Sequence, residues 1–152
     1  MKTEASLLAS PVPDWTPARF RSFIVSTLRS GMRRYPNKAL ALKAASVGKK
    51  INKLTGRMAE HFKCNKCINH FPRTSVQVDH IEPVVDPNKG FIDWNTFVER
   101  MFVALEKLQV LCKTCHSGKT RTEQKERVAI KRKKFPNMKR PQQRTPHKRV
   151  KR

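Results

Sequence analysis

Residues 108–120 read LQVLCKTCHSGKT, and the apolar run that opens this stretch leads into a Cys-x-x-Cys pair, Cys112 and Cys115. A second pair with the same spacer, Cys64 and Cys67, lies upstream in the stretch CNKC, and the chain has no other cysteine. Two residues between paired cysteines let both thiolates bind one ion, and four thiolates complete the tetrahedral shell that zinc prefers. The four cysteines therefore predict a zinc site that joins two distant parts of the chain.

The predicted zinc is structural, because four sulfur ligands leave no open position for a reactant. It would add folding energy to a chain that is only 38% hydrophobic and whose core is expected to be small. The segment between the two pairs is longer than a simple zinc ribbon needs, so a further structure is expected there. Disulfides and two separate redox motifs are the alternatives, and the lack of a secretory signal argues against disulfides.

A second group of reactive side chains lies beside the cysteines. The alternating apolar residues of 76–81 indicate a short strand with Asp79 and His80 at its end, and His116 directly follows Cys115. A carboxylate offers a hard oxygen to a divalent ion, and an imidazole with an ordinary pKa of about 6.5 can take a proton from water near neutral pH. These residue types suit phosphodiester hydrolysis, which needs an activated water, a cation at the phosphate and stabilisation of the departing oxygen.

The segments VDHIEP (residues 78–83) and LQVLCKTCHSGKT (residues 108–120) resemble HNH endonucleases, and more narrowly the small zinc-knuckle HNH proteins of tailed bacteriophages. The resemblance covers about residues 60–125, and its specificity lies in the combination of Asp-His, two knuckles and Cys-His-x-x-Lys-Thr. It implies an α+β fold with a small ββα-metal core, in which a hairpin and a helix hold one divalent cation.

The same resemblance implies that Asp79 and His116 are ligands of a catalytic Mg²⁺ or Mn²⁺, and that His80 is the general base. Cleavage would leave 5′-phosphate and 3′-hydroxyl ends, and Lys119 would contact the scissile or an adjacent phosphate. One position departs from the family, because Lys107 stands where an asparagine usually braces the loop that carries the base. A lysine cannot accept hydrogen bonds as an amide does, so either the loop has another support or activity is reduced.

The charge of the chain is strongly positive, with 34 Lys and Arg against 11 Asp and Glu, a net charge of +23 and a pI near 10.8. Such a field attracts a polyanion through phosphate contacts and counterion release, and DNA is the expected partner. A ribosome-type structural protein and a merely solvated basic surface are the alternatives. The candidate DNA-binding residues are Lys119, Arg121, Lys131, Arg132, Lys133 and Lys134.

Composition divides the chain into four parts. Residues 1–15 are predicted to be an irregular leader, residues 16–58 a basic helical segment, and residues 59–130 the HNH nuclease domain. Residues 131–152 carry eleven basic residues and no acid, which predicts a disordered basic tail. Its function is expected to be that of a phosphate-binding arm, and a merely solubilising end is the alternative.

Within these parts the sequence predicts several elements. Thr16 as N-cap, followed by proline, and apolar residues at every fourth position predict an amphipathic basic helix over residues 17–34. An Ala-rich helix is expected over residues 38–47, followed by a basic connector. Further helices are expected from Trp94 to about Leu105 and from His116 to about Lys133.

Three functions fit this pattern. They are a DNA endonuclease, a non-catalytic zinc-knuckle DNA-binding protein in which Lys107 marks a lost activity, and an accessory nuclease of a phage packaging terminase. No apolar run is long enough to span a membrane, and none resembles a secretory signal. The expected location is therefore the cytoplasm of a bacterial host.

Overall fold

The computed structural model describes residues 9–136, which form four α-helices and five β-strands of an α+β fold. In chain order the elements are α1 (Pro17–Gly31), α2 (Pro36–Ala45), β1 (Ser46–Ile51), β2 (Met58–Lys63), β3 (His70–Pro72), β4 (Val76–His80), α3 (Trp94–Met101), β5 (Leu108–Cys112) and α4 (Lys113–Lys134). Short 3₁₀ turns cover Met32–Arg34, Arg73–Ser75 and Leu105–Lys107. None of these helices combines the length and the apolar composition that crossing a bilayer demands.

The N-terminal helices begin close to where the sequence predicts. The Thr16 hydroxyl accepts a hydrogen bond from the backbone N–H of Arg19 at 3.3 Å, and a proline holds the first helical position. Helix α1 ends at Gly31 and continues as a 3₁₀ turn over Met32–Arg34. Helix α2 is joined to the rest of the fold by Tyr35, whose hydroxyl donates to the carbonyl of Val103 at 3.0 Å.

The predicted basic connector after α2 is wrong, because residues 46–63 form an antiparallel hairpin of β1 and β2. Lys49 lies opposite Glu60, Ile51 lies opposite Met58, and Gly56 closes the turn with a φ of +67°. The high charge of this segment concealed the strands, since most of their side chains are exposed and leave no apolar alternation. The helical part of the N-terminal segment therefore ends at α2.

Two small sheets organise the centre of the fold. One has the strand order β1-β2-β3, and the other pairs β4 with β5. Both sheets are antiparallel, and in the second Asp79 lies opposite Gln109 and His80 opposite Leu108. Helix α4 begins at Lys113, immediately after β5. The predicted strand that ends in Asp79 and His80 is confirmed, and two strands followed by a helix position the candidate site.

The core consists of two small clusters. Phe62, Val76 and Val110 join strands β2, β4 and β5. Leu111 packs between two buried cysteines of the predicted zinc site. Ten hydrophobic residues are buried in the described part of the chain, so the core is as small as the composition indicated.

The last helix ends close to where the sequence predicts, at Lys134, although it begins at Lys113 and not at His116. Residues 131–134, which the composition assigned to a disordered tail, form the last turn of α4. Neighbouring like charges on a solvent-exposed face destabilise a helix only slightly. A basic composition by itself therefore does not show where a helix ends. The rest of the predicted tail, from residue 137, and residues 1–8 of the predicted leader lie outside the described residues.

Candidate metal centre and active site

The four cysteines converge on one point in the fold. All four Sγ atoms lie within 4.8 Å of one another, and those of Cys67 and Cys112 are 4.0 Å apart. Sulfurs at about 2.3 Å from a tetrahedral zinc would be about 3.8 Å apart, so this cluster fits the ion with little movement. Cys64 is fully buried and Cys112 nearly so, as expected of a structural site.

Each cysteine pair is held by its own backbone turn. In the first knuckle, Ile68 donates its N–H to the carbonyl of Cys64, and Cys64 donates to the carbonyl of Asn69, both at 2.9 Å. In the second, the Cys112 sulfur caps α4 by accepting the N–H of Cys115 at 3.4 Å. The helix start thus sets the spacing between these two cysteines.

The thiols of this cluster differ in acidity. Burial raises the pKa of the Cys64 thiol, but backbone N–H groups of Cys67, Cys112 and Lys66 lower it to about 6. Contact with the Cys112 side chain, together with burial, raises the pKa of Cys115 to about 12. One thiolate therefore forms readily, and it opposes the formation of others nearby unless a cation is bound.

An asparagine joins the first knuckle to the second sheet. Asn65 donates its N–H to the carbonyl of Val110 at 2.8 Å, and its side-chain oxygen accepts the N–H of Val110 at 2.9 Å. This pair of bonds extends the edge of β5 and aligns the two Cys-x-x-Cys segments. The sequence analysis missed Asn65, because an asparagine inside a knuckle has no signal that distinguishes it from a turn residue.

The three predicted active-site residues lie around one cleft. The cleft encloses about 400 Å³ and is lined by Asp79, His80 and His116 together with residues of α1, α3 and α4. Oδ1 of Asp79 is 4.0 Å from Nε2 of His116. Two ligand atoms each about 2.1 Å from an ion lie about 3–4.2 Å apart, so this pair fits one divalent cation.

The His80 ring is oriented by the backbone of α3. Its Nε2 lies 2.8 Å from the carbonyl oxygen of Met101. A carbonyl oxygen can only accept, so Nε2 donates, and in the neutral ring Nδ1 is left as the nitrogen that can take up a proton. The ring therefore has the tautomer and the support that a general base requires.

Lys119 is paired with carboxylates in this structure. Its Nζ lies 2.7 Å from Oδ2 of Asp79, 3.1 Å from Oε1 of Glu123 and 2.5 Å from the carbonyl oxygen of His80. Burial lowers the pKa of the ammonium, but the hydrogen bonds to both carboxylates outweigh this and hold the pKa above its usual value. Lys119 is therefore charged, and it already neutralises part of the candidate cation site.

The segment after His80 is held by hydrogen bonds to residues 107 and 109. The side-chain amide of Gln109 donates to the carbonyl of His80 at 3.2 Å, and Ile81 donates its N–H to the carbonyl of Lys107 at 2.9 Å. Lys107 thus contributes through its backbone, which any residue could supply. These two hydrogen bonds need no asparagine at position 107.

Several residues of the cleft were not predicted. Arg29 from α1, and Glu123 and Arg127 from α4, line it. Glu123 and Arg127 stand seven and eleven residues after His116, which places all three on one face of a helix, so this spacing could have revealed them. Arg29 could not be found in this way, because only the packing of α1 brings it there.

The remaining predicted DNA-binding residues lie on the surface of α4. Arg121 is exposed on α4, and residues 131–134 are exposed in its last turn. All five are accessible to a polyanion. Comparisons with protein-family models, curated proteins and solved structures found no match to this chain.

Proposed function

We propose that the chain is a metal-dependent endonuclease of HNH type that hydrolyses phosphodiester bonds of DNA. The observation that carries the proposal is the convergence of Asp79, His80 and His116 on one cleft, with the His80 ring held by the carbonyl of Met101. A carboxylate, an oriented imidazole and a second imidazole are the groups that the reaction needs. The basic surface adds the attraction for a polyanion.

The roles of the residues follow from their contacts. Asp79 and His116 would hold the divalent ion, which supplies positive charge beside the phosphate and the departing oxygen. Nδ1 of His80 takes the proton of a water that attacks phosphorus, and the bond between phosphorus and the 3′ oxygen breaks. Arg29 and Arg127 would hold the phosphate in the cleft, because guanidinium groups match its oxygens in pairs.

A plasmid-nicking assay with Mg²⁺ or Mn²⁺ tests this function. Replacing the base by alanine in His80→Ala should slow nicking by about 10²–10⁴-fold while zinc content and DNA affinity stay unchanged. Imidazole added to the buffer should restore part of the rate. Gln77→Ala is the matched control, since Gln77 is exposed on the same strand. Nicking by His80→Ala at the wild-type rate would exclude His80 as the base.

The pairing of Lys119 favours a second candidate function. Because its ammonium lies 2.7 Å from Asp79, the carboxylate is neutralised without a divalent ion. A zinc-knuckle protein that binds DNA without cutting it would keep this ion pair intact. In that case the wild type binds DNA in a salt-dependent manner, and it does not nick plasmid whichever divalent ion is added. An endonuclease would nick plasmid with at least one divalent ion.

A further inference from the structure

The β1–β2 hairpin carries a concentration of positive charge that the candidate active site does not use. Between residues 46 and 63 there is a single acid, Glu60, and it is hydrogen-bonded to the hydroxyl of Ser46. The hairpin has five basic residues, all exposed: Lys49, Lys50, Lys53, Arg57 and Lys63. Within residues 9–136, none of these five takes part in a salt bridge.

Three of the basic residues share one face of the hairpin. Lys50 lies opposite Ala59, and side chains alternate between faces along a strand, so Lys63 points the same way as Ala59. Arg57, one residue before β2, continues this register because its carbonyl accepts the N–H of Asn52 at 2.8 Å. The Lys50 ammonium lies 2.8 Å from Nδ1 of His70, which is itself paired with Lys63. Arg57 and Lys63 are six residues apart, which spreads this basic face over about 20 Å.

The tip of the hairpin carries exposed apolar side chains. Ile51 and Met58 form an exposed cross-strand pair. Leu54, in the turn between the strands, is 87% exposed. The turn itself is well ordered by backbone bonds, because Thr55 and Gly56 both donate to the carbonyl of Asn52. Leu54 therefore contributes little to the fold and is presented to solvent on a rigid turn.

We propose that the β1–β2 hairpin is a DNA-binding arm, which lays its basic face along the phosphates of a duplex and presents Leu54 to a groove. A two-stranded ribbon fits the major groove, which is about 12 Å wide. Apolar tips of DNA-binding proteins also enter the minor groove and part base steps there. The inference depends on the proposed function only in taking DNA as the polyanion, since the arm requires no catalysis.

The salt dependence of binding tests the basic face. Each phosphate contact contributes about 0.9 to the slope of log K against log salt, so three contacts make affinity fall about 40-fold further between 50 and 200 mM salt. In the triple variant Lys50→Gln, Arg57→Gln, Lys63→Gln, the fall in affinity between 50 and 200 mM salt should be smaller than in the wild type by this factor of about 40. Fluorescence anisotropy of a labelled 30-base-pair duplex measures it, with the zinc-loaded full chain and no added Mg²⁺ or Mn²⁺.

A charge-matched variant separates contact from general attraction. The triple variant Arg34→Gln, Lys43→Gln, Lys89→Gln removes the same charge from exposed positions outside the hairpin and should keep the wild-type slope. Leu54→Ser should weaken duplex binding at an unchanged slope, because it removes no charge. The proposal is overturned if both triple variants alter the slope equally, if the hairpin variant leaves it unchanged, or if only binding of single-stranded RNA responds.

These outcomes are independent of the nuclease proposal. Binding is measured without the divalent ions that support cleavage, so an inactive His80→Ala protein gives the same reading. If the wild type never nicks plasmid, and the hairpin variant has a smaller salt slope than the wild type, the nuclease proposal is refuted and the DNA-binding arm is supported. If the wild type nicks plasmid, and the hairpin variant has the same salt slope as the wild type, the nuclease proposal is supported and the DNA-binding arm is refuted.

Discussion

Replacement of an exposed isoleucine in the first zinc knuckle by glycine is expected to cost almost no stability. Ile68 is 56% exposed and has a φ of +64°, in the left-handed region that β-branched residues avoid. The position is set by the hydrogen bond from its N–H to the carbonyl of Cys64, so the conformation cannot relax without disturbing a candidate metal ligand. Ile68→Gly removes the side chain that causes the strain.

The magnitude follows from two opposing effects. The left-handed conformation costs an L-residue about 1–2 kcal/mol, which glycine recovers, while its freedom in the unfolded chain costs about 0.5–1 kcal/mol. Ile81 provides the comparison, because it is 49% exposed, its φ is not positive, and its N–H is bonded to the carbonyl of Lys107. Ile81→Gly has the same entropic cost from the greater freedom of glycine in the unfolded chain, but it relieves no left-handed backbone strain. The free energies of unfolding of the two variants should therefore differ by about 1–2 kcal/mol, with Ile68→Gly the more stable.

Urea unfolding of the zinc-loaded proteins, followed by circular dichroism, measures this difference. Equal dependence on urea concentration in both variants would show that the unfolded states are comparable. If Ile68→Gly destabilises the protein as much as Ile81→Gly does, the backbone strain in the knuckle is not real and the reasoning fails.

Four further predictions concern the site and the core. Lys119→Met should tighten Mn²⁺ binding about tenfold, measured by electron paramagnetic resonance, because the ammonium on Oδ2 of Asp79 no longer neutralises the carboxylate or repels an ion held through Oδ1; weaker binding would contradict this. Leu111→Ala should lower the free energy of unfolding by about 2–5 kcal/mol, since Leu111 is 1% exposed; a loss below about 1 kcal/mol in urea would show that the cluster is loosely packed. Zinc affinity, measured by competition with a chromophoric chelator, should rise at least about tenfold per pH unit near neutrality, because Cys115, with its pKa raised to about 12, must release a proton on binding; a flat profile would argue against this ligand. The Asp93 carboxylate caps α3 and has its pKa lowered first by a backbone N–H, so it stabilises the folded state at neutral pH and loses this effect as pH falls below about 4; Asp93→Asn should lose less stability than the wild type between pH 5 and 3.

The local features of the fold were readable in the sequence. The Thr16 cap, the strand that ends at His80 and the pairing of two Cys-x-x-Cys motifs depend on residue type and short spacing. Such signals survive in a single sequence, because the physics that they report acts over a few residues. The hairpin β1–β2 was missed for the complementary reason, since its strands are defined by each other and not by apolar periodicity.

The reactive groups can be read directly from the chain: four thiols with zinc spacing, an Asp-His pair, a histidine beside the last cysteine and a large excess of positive charge. Which of these groups meet depends on the packing of the elements that carry them. This packing turned the His80 ring onto the carbonyl of Met101, placed Arg29 in the cleft and paired Lys119 with Asp79. The contacts of His80 and of Lys119 join residues 21 and 40 positions apart, and the geometry of the cleft is set by the packing of α1, α3 and α4 around the β4–β5 pair. Distances of that kind depend on how surfaces fit together, a property that no short stretch of chain carries alone.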